Sequence, residues 1–260
     1  MLKKTIWYIL LLISIIVTLI FISGFVKSLA ITTTSKKATE VTPPPSKIQE
    51  LDPNYYNILV LGDSLSKGTG DEKGKGFAGY FSDSWKSKST KEIKLTNIAI
   101  IGDVSAGLLK VVESAETQSY IKTSKIIFIS IGGNEINKFK EKDLTLAVTD
   151  VKDAQDKYLN NLKEIMKLIR TNNSSCMVIF LGLYNPNGEE VTADKVTFLT
   201  DWNYRTEQFI STDTNSIFIP TYDLFKYNLD NYLYKDKFHP NSAGYEAISN
   251  RMLEALKNYK

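Results

Sequence analysis

Only one cysteine, Cys176, and one histidine, His239, occur in the 260 residues of this chain. A single thiol excludes an intrachain disulfide. One thiol and one imidazole also fall short of a structural zinc site, which takes about four Cys or His ligands. Cys176 opens the apolar run Cys176–Gly182, where a small hydrophobe in a buried strand is expected, and no neighbouring base argues for a reactive thiol. Excess charge is missing too. Lysine and arginine number 32 against 29 acids, a net +3, and the two signs are interspersed. There is no basic stripe of the kind nucleic acid requires, so no nucleic-acid partner is expected. The Gly-x-x-x-x-Gly-Lys-Ser/Thr pattern of a phosphate loop is absent, as are internal repeats. What is present, 43% hydrophobic and 23% charged residues, is globular composition, long enough for one sizeable domain with an appendage.

The appendage is N-terminal. Ile6–Val26 carries no charge and is flanked by Lys3, Lys4 and Lys27. At about 1.5 Å per residue it matches a hydrocarbon core of about 30 Å, so residues 1–27 are expected to be a transmembrane anchor, with membrane contact through 6–26. A cleaved signal peptide is the alternative, because Ser28-Leu29-Ala30 offers a small-x-small site and cleavage after Ala30 would release the rest. The short basic N-terminus is expected to stay inside, placing the remainder outside, on a single-pass cell-membrane protein. Residues 28–53, with Thr32-Thr33-Thr34 and Pro43-Pro44-Pro45, read as an extended tether.

Residues 54–260 form the expected domain. Five short apolar runs, Asn57–Leu61, Leu95–Ile100, Lys125–Ile131, Met177–Leu181 and Ser216–Ile219, suit parallel strands covered on both faces. Helical patterns lie near Phe77–Lys86, Ala106–Ser114, Asp153–Arg170, Phe198–Ser211 and Ser242–Asn258. In the third, Tyr158, Leu162, Ile165, Met166 and Ile169 share one face. Alternation of this kind predicts a three-layer α/β/α sandwich around a mostly parallel five-stranded sheet, flavodoxin-like in layout, with its site beyond the carboxyl ends of the strands.

Polar motifs stand at those ends. Gly62-Asp63-Ser64-Leu65 follows the first run, and its glycine permits a tight turn that exposes the Ser64 hydroxyl, although Asp and Ser also cap helices. Asn97…Gly102…Ser105 follows the second, where Gly102 offers a backbone N–H. Gly132-Gly133-Asn134-Glu135 follows the third, and the Asn134 amide is a candidate donor to a developing oxyanion, although turn chemistry alone selects the same residues. Asp236-Lys237-Phe238-His239-Pro240 precedes the last helix, and three residues of separation let the carboxylate reach one imidazole nitrogen while the other stays free as a base.

In this order the four blocks resemble the SGNH hydrolases, also called GDSL esterases, over the chain from about Asn57 to its end. The family's serine matches Ser64, its glycine Gly102, its asparagine Asn134, and its Asp-x-x-His-Pro the segment Asp236–Pro240. The resemblance implies a carboxylic ester hydrolase in which Ser64, His239 and Asp236 form a catalytic triad. It also implies an oxyanion hole from Ser64, Gly102 and Asn134, and no metal or organic cofactor. Substrates would be small-molecule, lipid or glycan esters. The stretch Gly68–Phe77 looks most like the bacterial lysophospholipase and acyl-esterase branch. Glu135 departs from the family's frequent Asp, with little consequence expected, and Ala99 and Ile101 replace a frequent Gly and Ser. Competing readings are an O-deacetylase of cell-wall polysaccharide or peptidoglycan, a non-catalytic surface binding module, and a flavodoxin-like cofactor binder. Pocket-lining loops cannot be placed from sequence; the aromatic-rich Tyr222–Tyr234 is either ordinary packing or the floor of an acyl pocket.

Overall fold

In the first strand, Ile58 and Val60 belong to one buried cluster and Leu59 and Leu61 to another, because successive strand side chains point to opposite faces. A strand apolar on both faces must be covered on both, and that constraint sets the layers. The computed structural model describes residues 7, 8, 11, 14–23, 55–140, 142–144, 147–188 and 192–259. They fall in two units, 1–49 and 50–260.

In chain order the second unit runs β1 (Tyr55–Gly62), α1 (Ser64–Lys67), α2 (Gly76–Trp85), β2 (Glu92–Asn97), α3 (Ser105–Glu113), α4 (Ala115–Thr123), β3 (Ile126–Ser130), α5 (Gly133–Asn137), α6 (Val148–Asn172), β4 (Met177–Leu181), α7 (Ala193–Ile210), β5 (Ser216–Ile219), α8 (Tyr222–Lys226), α9 (Leu229–Tyr232) and α10 (Ser242–Ala255). The sheet order is β2-β1-β3-β4-β5, and every pairing is parallel. Leu59, Leu61, Ile127, Ile129, Val178 and Phe180 face the cluster beneath α3, α4, α6 and α7. Ile58, Val60, Ile126, Phe128, Ile179 and Leu181 face α2, α8 and α10, where Phe128 meets Phe77 and Phe81 edge-on. This is the expected α/β/α sandwich.

Strands β4 and β5 keep their expected limits, and α6 carries the expected stripe with Tyr158, Leu162, Ile165, Met166 and Ile169 all buried. The second strand differs. It pairs over Glu92–Asn97 rather than 95–100, and as an edge strand it is largely open to solvent. Beyond it, Ile98 and Ile100 donate to Val60 and Gly62 carbonyls in an irregular extension, leaving Ile101 63% exposed. Apolar content there does not mark a buried strand. Cys176 is buried immediately before β4, and burial raises its thiol pKa despite the nearby Arg170 guanidinium.

In the first unit, the described residues 7, 8, 11 and 14–23 are helical. Among the described residues no helix is long and apolar enough to cross a membrane. Residues 14–23 alone reach about 15 Å, half a hydrocarbon core. The rest of the run 6–26 and the tether 28–53 lie outside the described residues.

Gly62 closes β1 with φ 120°, and a Cβ there would sit on the Ser130 carbonyl oxygen of β3. Gly62→Ala is therefore expected to destabilise the fold by more than about 2 kcal/mol, from left-handed backbone strain plus the clash. Urea unfolding checks this, and a midpoint within error of the parent would refute it.

Candidate active site

Order β2-β1-β3 makes the connections leave β1 and β3 in opposite directions, opening a crevice beyond their carboxyl ends. Ser64 follows β1 and Gly132–Asn134 follow β3, so both segments border that crevice. Gly132 has φ 117°, and the space where its Cβ would stand is closed by Trp202 and Tyr158. Only glycine lets the chain turn here while those rings pack behind it.

The two strand ends are locked together. The Asp63 N–H donates to the Ser130 carbonyl (3.0 Å). The Ser66 N–H donates to Ser130 Oγ (3.0 Å), and the Ser130 N–H to Ser66 Oγ (3.1 Å). The Ser130 hydroxyl lies 2.8 Å from both Ser66 Oγ and Asp63 Oδ1. One consistent proton order has Ser66 donating to Ser130 and Ser130 to the carboxylate, which also accepts from the Leu65 N–H (3.1 Å) and so caps α1. Burial pushes the Asp63 carboxyl up to about 6, against the pull of the Ser130 and Leu65 donors.

His239 arrives from 175 residues away, and its Nε2 stands 2.9 Å from Ser64 Oγ. Its Nδ1 is 2.7 Å from Asp236 Oδ2. Because a carboxylate only accepts, the proton belongs on Nδ1, leaving Nε2 to accept from the serine. Asp236 Oδ1 accepts the N–H groups of Phe238 and His239 (3.0 Å each), and Lys237 takes a left-handed φ of 56° to close the turn. Partial burial raises the Asp236 pKa, but the His239 ring and these N–H groups outweigh it, so the carboxyl titrates below its ordinary value. Behind the turn, Leu233 and Pro240 form a β-bridge, the Tyr184 hydroxyl donates to the Phe238 carbonyl (2.6 Å), and Asn241 caps α10.

Asn134 lines the same pocket as Ser64 and His239. Its Nδ2 donates to the Asp103 carbonyl (2.7 Å), which ties the Gly102 loop to the end of β3. Gly102, with φ 80°, is exposed beside that tie and is not part of the pocket lining. Glu135, expected to matter little, is buried, and its Oε1 accepts the Ser105 N–H at the otherwise uncapped start of α3. A carboxylate at a helix N-terminus satisfies an orphan donor and complements the helix dipole.

The pocket measures about 370 Å³. Its walls include Leu65, Ile136, Phe139, Leu183, Phe198, Leu199 and Phe238. None of Tyr222–Tyr234 contributes: Phe225 is fully buried and stacks on Tyr184, while Tyr227 is 82% exposed, so the segment anchors a surface stretch to the core through Phe225. Sequence reading missed Ser66, Ser130 and the α5 and α7 walls. A serine ending the otherwise apolar run Ile126–Ser130 was the available signal for the first two. Among the described residues, no group of three or more His, Cys, Asp or Glu side chains is placed to hold a metal ion.

Residues 58–252 match the family model of GDSL-like lipase/acylhydrolases. The chain belongs to that family. It is a carboxylic ester hydrolase on the same grounds. It is 32% identical over 206 residues to the uncharacterized protein YpmR of Bacillus subtilis, covering 77% of this chain and 81% of that one. It is 28% identical over 202 residues to the spore germination lipase LipC of Bacillus licheniformis, covering 75% and 94%. A solved structure of the lipase Lip_vut3 from a goat rumen metagenome superposes with a TM-score of 0.68 at 24% identity, over 76% of this chain and 96% of that one, a likeness of fold.

The Asp63 shift carries a stability consequence in this hydrolase. Its folded value lies above the ordinary 3.8, so the folded state holds the proton more tightly. The favourable contribution is complete below about pH 4 and is lost as pH rises through about 6, amounting to about 3 kcal/mol. Asp63→Asn is expected to flatten the decline between those limits. Parallel urea-stability curves for parent and variant from pH 4 to 7 would contradict this.

Proposed function

We propose that the chain hydrolyses carboxylic esters with an apolar acyl chain through a Ser64–His239–Asp236 triad. The observation that carries this reading is the unbroken hydrogen-bonded line from Ser64 Oγ to His239 Nε2 and from His239 Nδ1 to Asp236. His239 takes the Ser64 proton as the oxygen attacks the ester carbonyl, and Asp236 orients the ring and stabilises the imidazolium. The oxyanion is met by the Ser64 N–H and the Asn134 amide, both of which line the pocket, and, on the family resemblance, by the N–H of Gly102, which stands outside the lining. One proton of that amide is engaged by Asp103, which holds the group in place and leaves the second for the substrate. The tetrahedral adduct collapses, the alcohol departs with the proton from His239, and water activated by the same ring attacks the acyl-serine to release the acid.

An apolar pocket opening at Ser64 favours acyl chains beyond acetyl over O-deacetylation. Each methylene taken from water contributes about 0.8 kcal/mol, or roughly fourfold in kcat/KM until the pocket is filled. As part of the same proposal, the uncharged run 6–26 attaches the enzyme to the cell membrane with its domain outside. Carbonate extraction is expected to leave the full-length chain in the membrane pellet; a shortened soluble chain would instead indicate cleavage near Ala30.

Ser64→Ala and His239→Ala are each expected to lower kcat on p-nitrophenyl butyrate at least about a thousandfold, and Asn134→Ala about a hundredfold or more. A fluorophosphonate probe should label the parent and not Ser64→Ala. Parent-like turnover in either triad variant would refute the assignment. Across p-nitrophenyl acetate, butyrate and hexanoate, kcat/KM is expected to climb; a maximum at acetate would favour the deacetylase.

A further inference from the structure

The apolar walls of the pocket end in two lysines. Lys140 stands on the turn that follows α5, and Lys195 in the first turn of α7, so they come from two separate walls of the pocket that also holds Ser64. Lys195 Nζ donates to the Lys140 carbonyl (2.5 Å), which brings the two segments together at one edge. An ammonium has three donors, and this bond uses one. Neither lysine forms a salt bridge among the described residues, whereas the neighbouring Lys142 pairs with Asp150 (3.4 Å) and lies over the Phe139 ring. Among the described lining residues the sole carboxylate is Asp63, buried behind the nucleophile and engaged by Ser130 and Leu65. The lining therefore holds two cations on one edge; the carboxylate next to Lys195 in sequence, Asp194, feels that ammonium but stands outside the pocket lining. Asn134 stands in the first turn of α5 and Lys140 beyond its last residue, Asn137, so the lysine comes from the opposite end of that helix.

A cationic edge on an apolar cavity is complementary to an amphiphile with an anionic end. Resting on the ester-hydrolase reading above, we propose that Lys140 and Lys195 are specificity-determining residues that select esters bearing an anionic group, a phosphate or a carboxylate, separated from the scissile carbonyl by an apolar stretch. The anion accepts the free Lys195 donors and those of Lys140, while Phe198 and Leu199 cover the intervening chain. Two sources supply this chemistry: a phosphate on the alcohol side of a lipid ester, or a terminal carboxylate on the acyl side.

The test uses the full-length protein and two matched substrate pairs below their aggregation limits. One pair is p-nitrophenyl octanoate against mono-p-nitrophenyl suberate; the other is monooctanoylglycerol against monooctanoylglycerol phosphate. The readout is the ratio of kcat/KM, anionic over neutral, taken within each protein so that the fraction of folded enzyme cancels. In the parent the ratio should exceed one for at least one pair, and the pair that shows it identifies the side carrying the charge. Each of Lys140→Gln and Lys195→Gln should lower that ratio about fivefold, since a partly exposed ion pair contributes up to about 1 kcal/mol, or about fivefold. The double charge reversal Lys140→Glu, Lys195→Glu should bring it below one, and high salt should compress the parent's ratio by screening. A parent ratio at or below one for both pairs, or ratios unmoved by the substitutions, overturns the lysine assignment. Failure of all four esters to turn over in the parent would instead point to failure of the ester-hydrolase reading beneath it.

Discussion

Ser64 and Asn134 take their positions from the hydrogen-bonded lock between the ends of β1 and β3. Ser66 and Ser130 exchange backbone-to-hydroxyl bonds, and the Ser130 hydroxyl anchors Asp63. In a parallel sheet the ladder alone aligns neighbouring strands, and nothing in it dictates how the chains leave them. At the switch point the chains diverge. The serines and the buried carboxylate hold the turn of Ser64 at a set distance from the glycine turn of Asn134. Ionised Asp63 in an apolar interior is costly, and its donors offset only part of that cost, which is why its proton is held up to about pH 6. Stability is thus traded for placement at the one point where placement governs chemistry.

Around the lock, secondary ties follow the same logic of using local groups to hold distant loops. The Asn134 amide grips the Asp103 carbonyl, Glu135 caps α3, and the Tyr184 hydroxyl grips the Phe238 carbonyl behind the imidazole. The first two join the segment after β2 to the end of β3, and the third joins the end of β4 to the His239 turn, so the crevice is braced from two sides. The pocket is then the space left between α5, α7 and the His239 turn, apolar because those helices present core-type residues to it.

Much of this was legible beforehand. Helix α6 was recognisable because a 25-residue helix repeats its apolar stripe over many turns. Strands β4 and β5 were recognisable because both are short apolar runs with polar borders. Strand β2 was misplaced because an edge strand need not be apolar, whereas the irregular segment after it happens to be. The short α1, α5, α8 and α9 escaped notice because four or five residues carry no periodicity to read. Glu135 was undervalued because its partner, the Ser105 N–H, lies thirty residues away.

The order of residues along the chain was enough to nominate Ser64, His239 and Asp236, the three side chains that the fold joins by hydrogen bonds, since a lone histidine with an acid at turn spacing and a serine after a strand are chemical facts of sequence. It also settled the layered architecture, because period-two burial on both faces of a strand admits few other solutions. Only the tertiary structure decided that Asp63 is buried beside Ser130, that Phe225 packs inward and no residue of Tyr222–Tyr234 lines the pocket, and that Lys140 and Lys195 meet on one edge of it. Those outcomes depend on contacts between segments far apart in sequence, and no local pattern encodes which distant surface a side chain will meet.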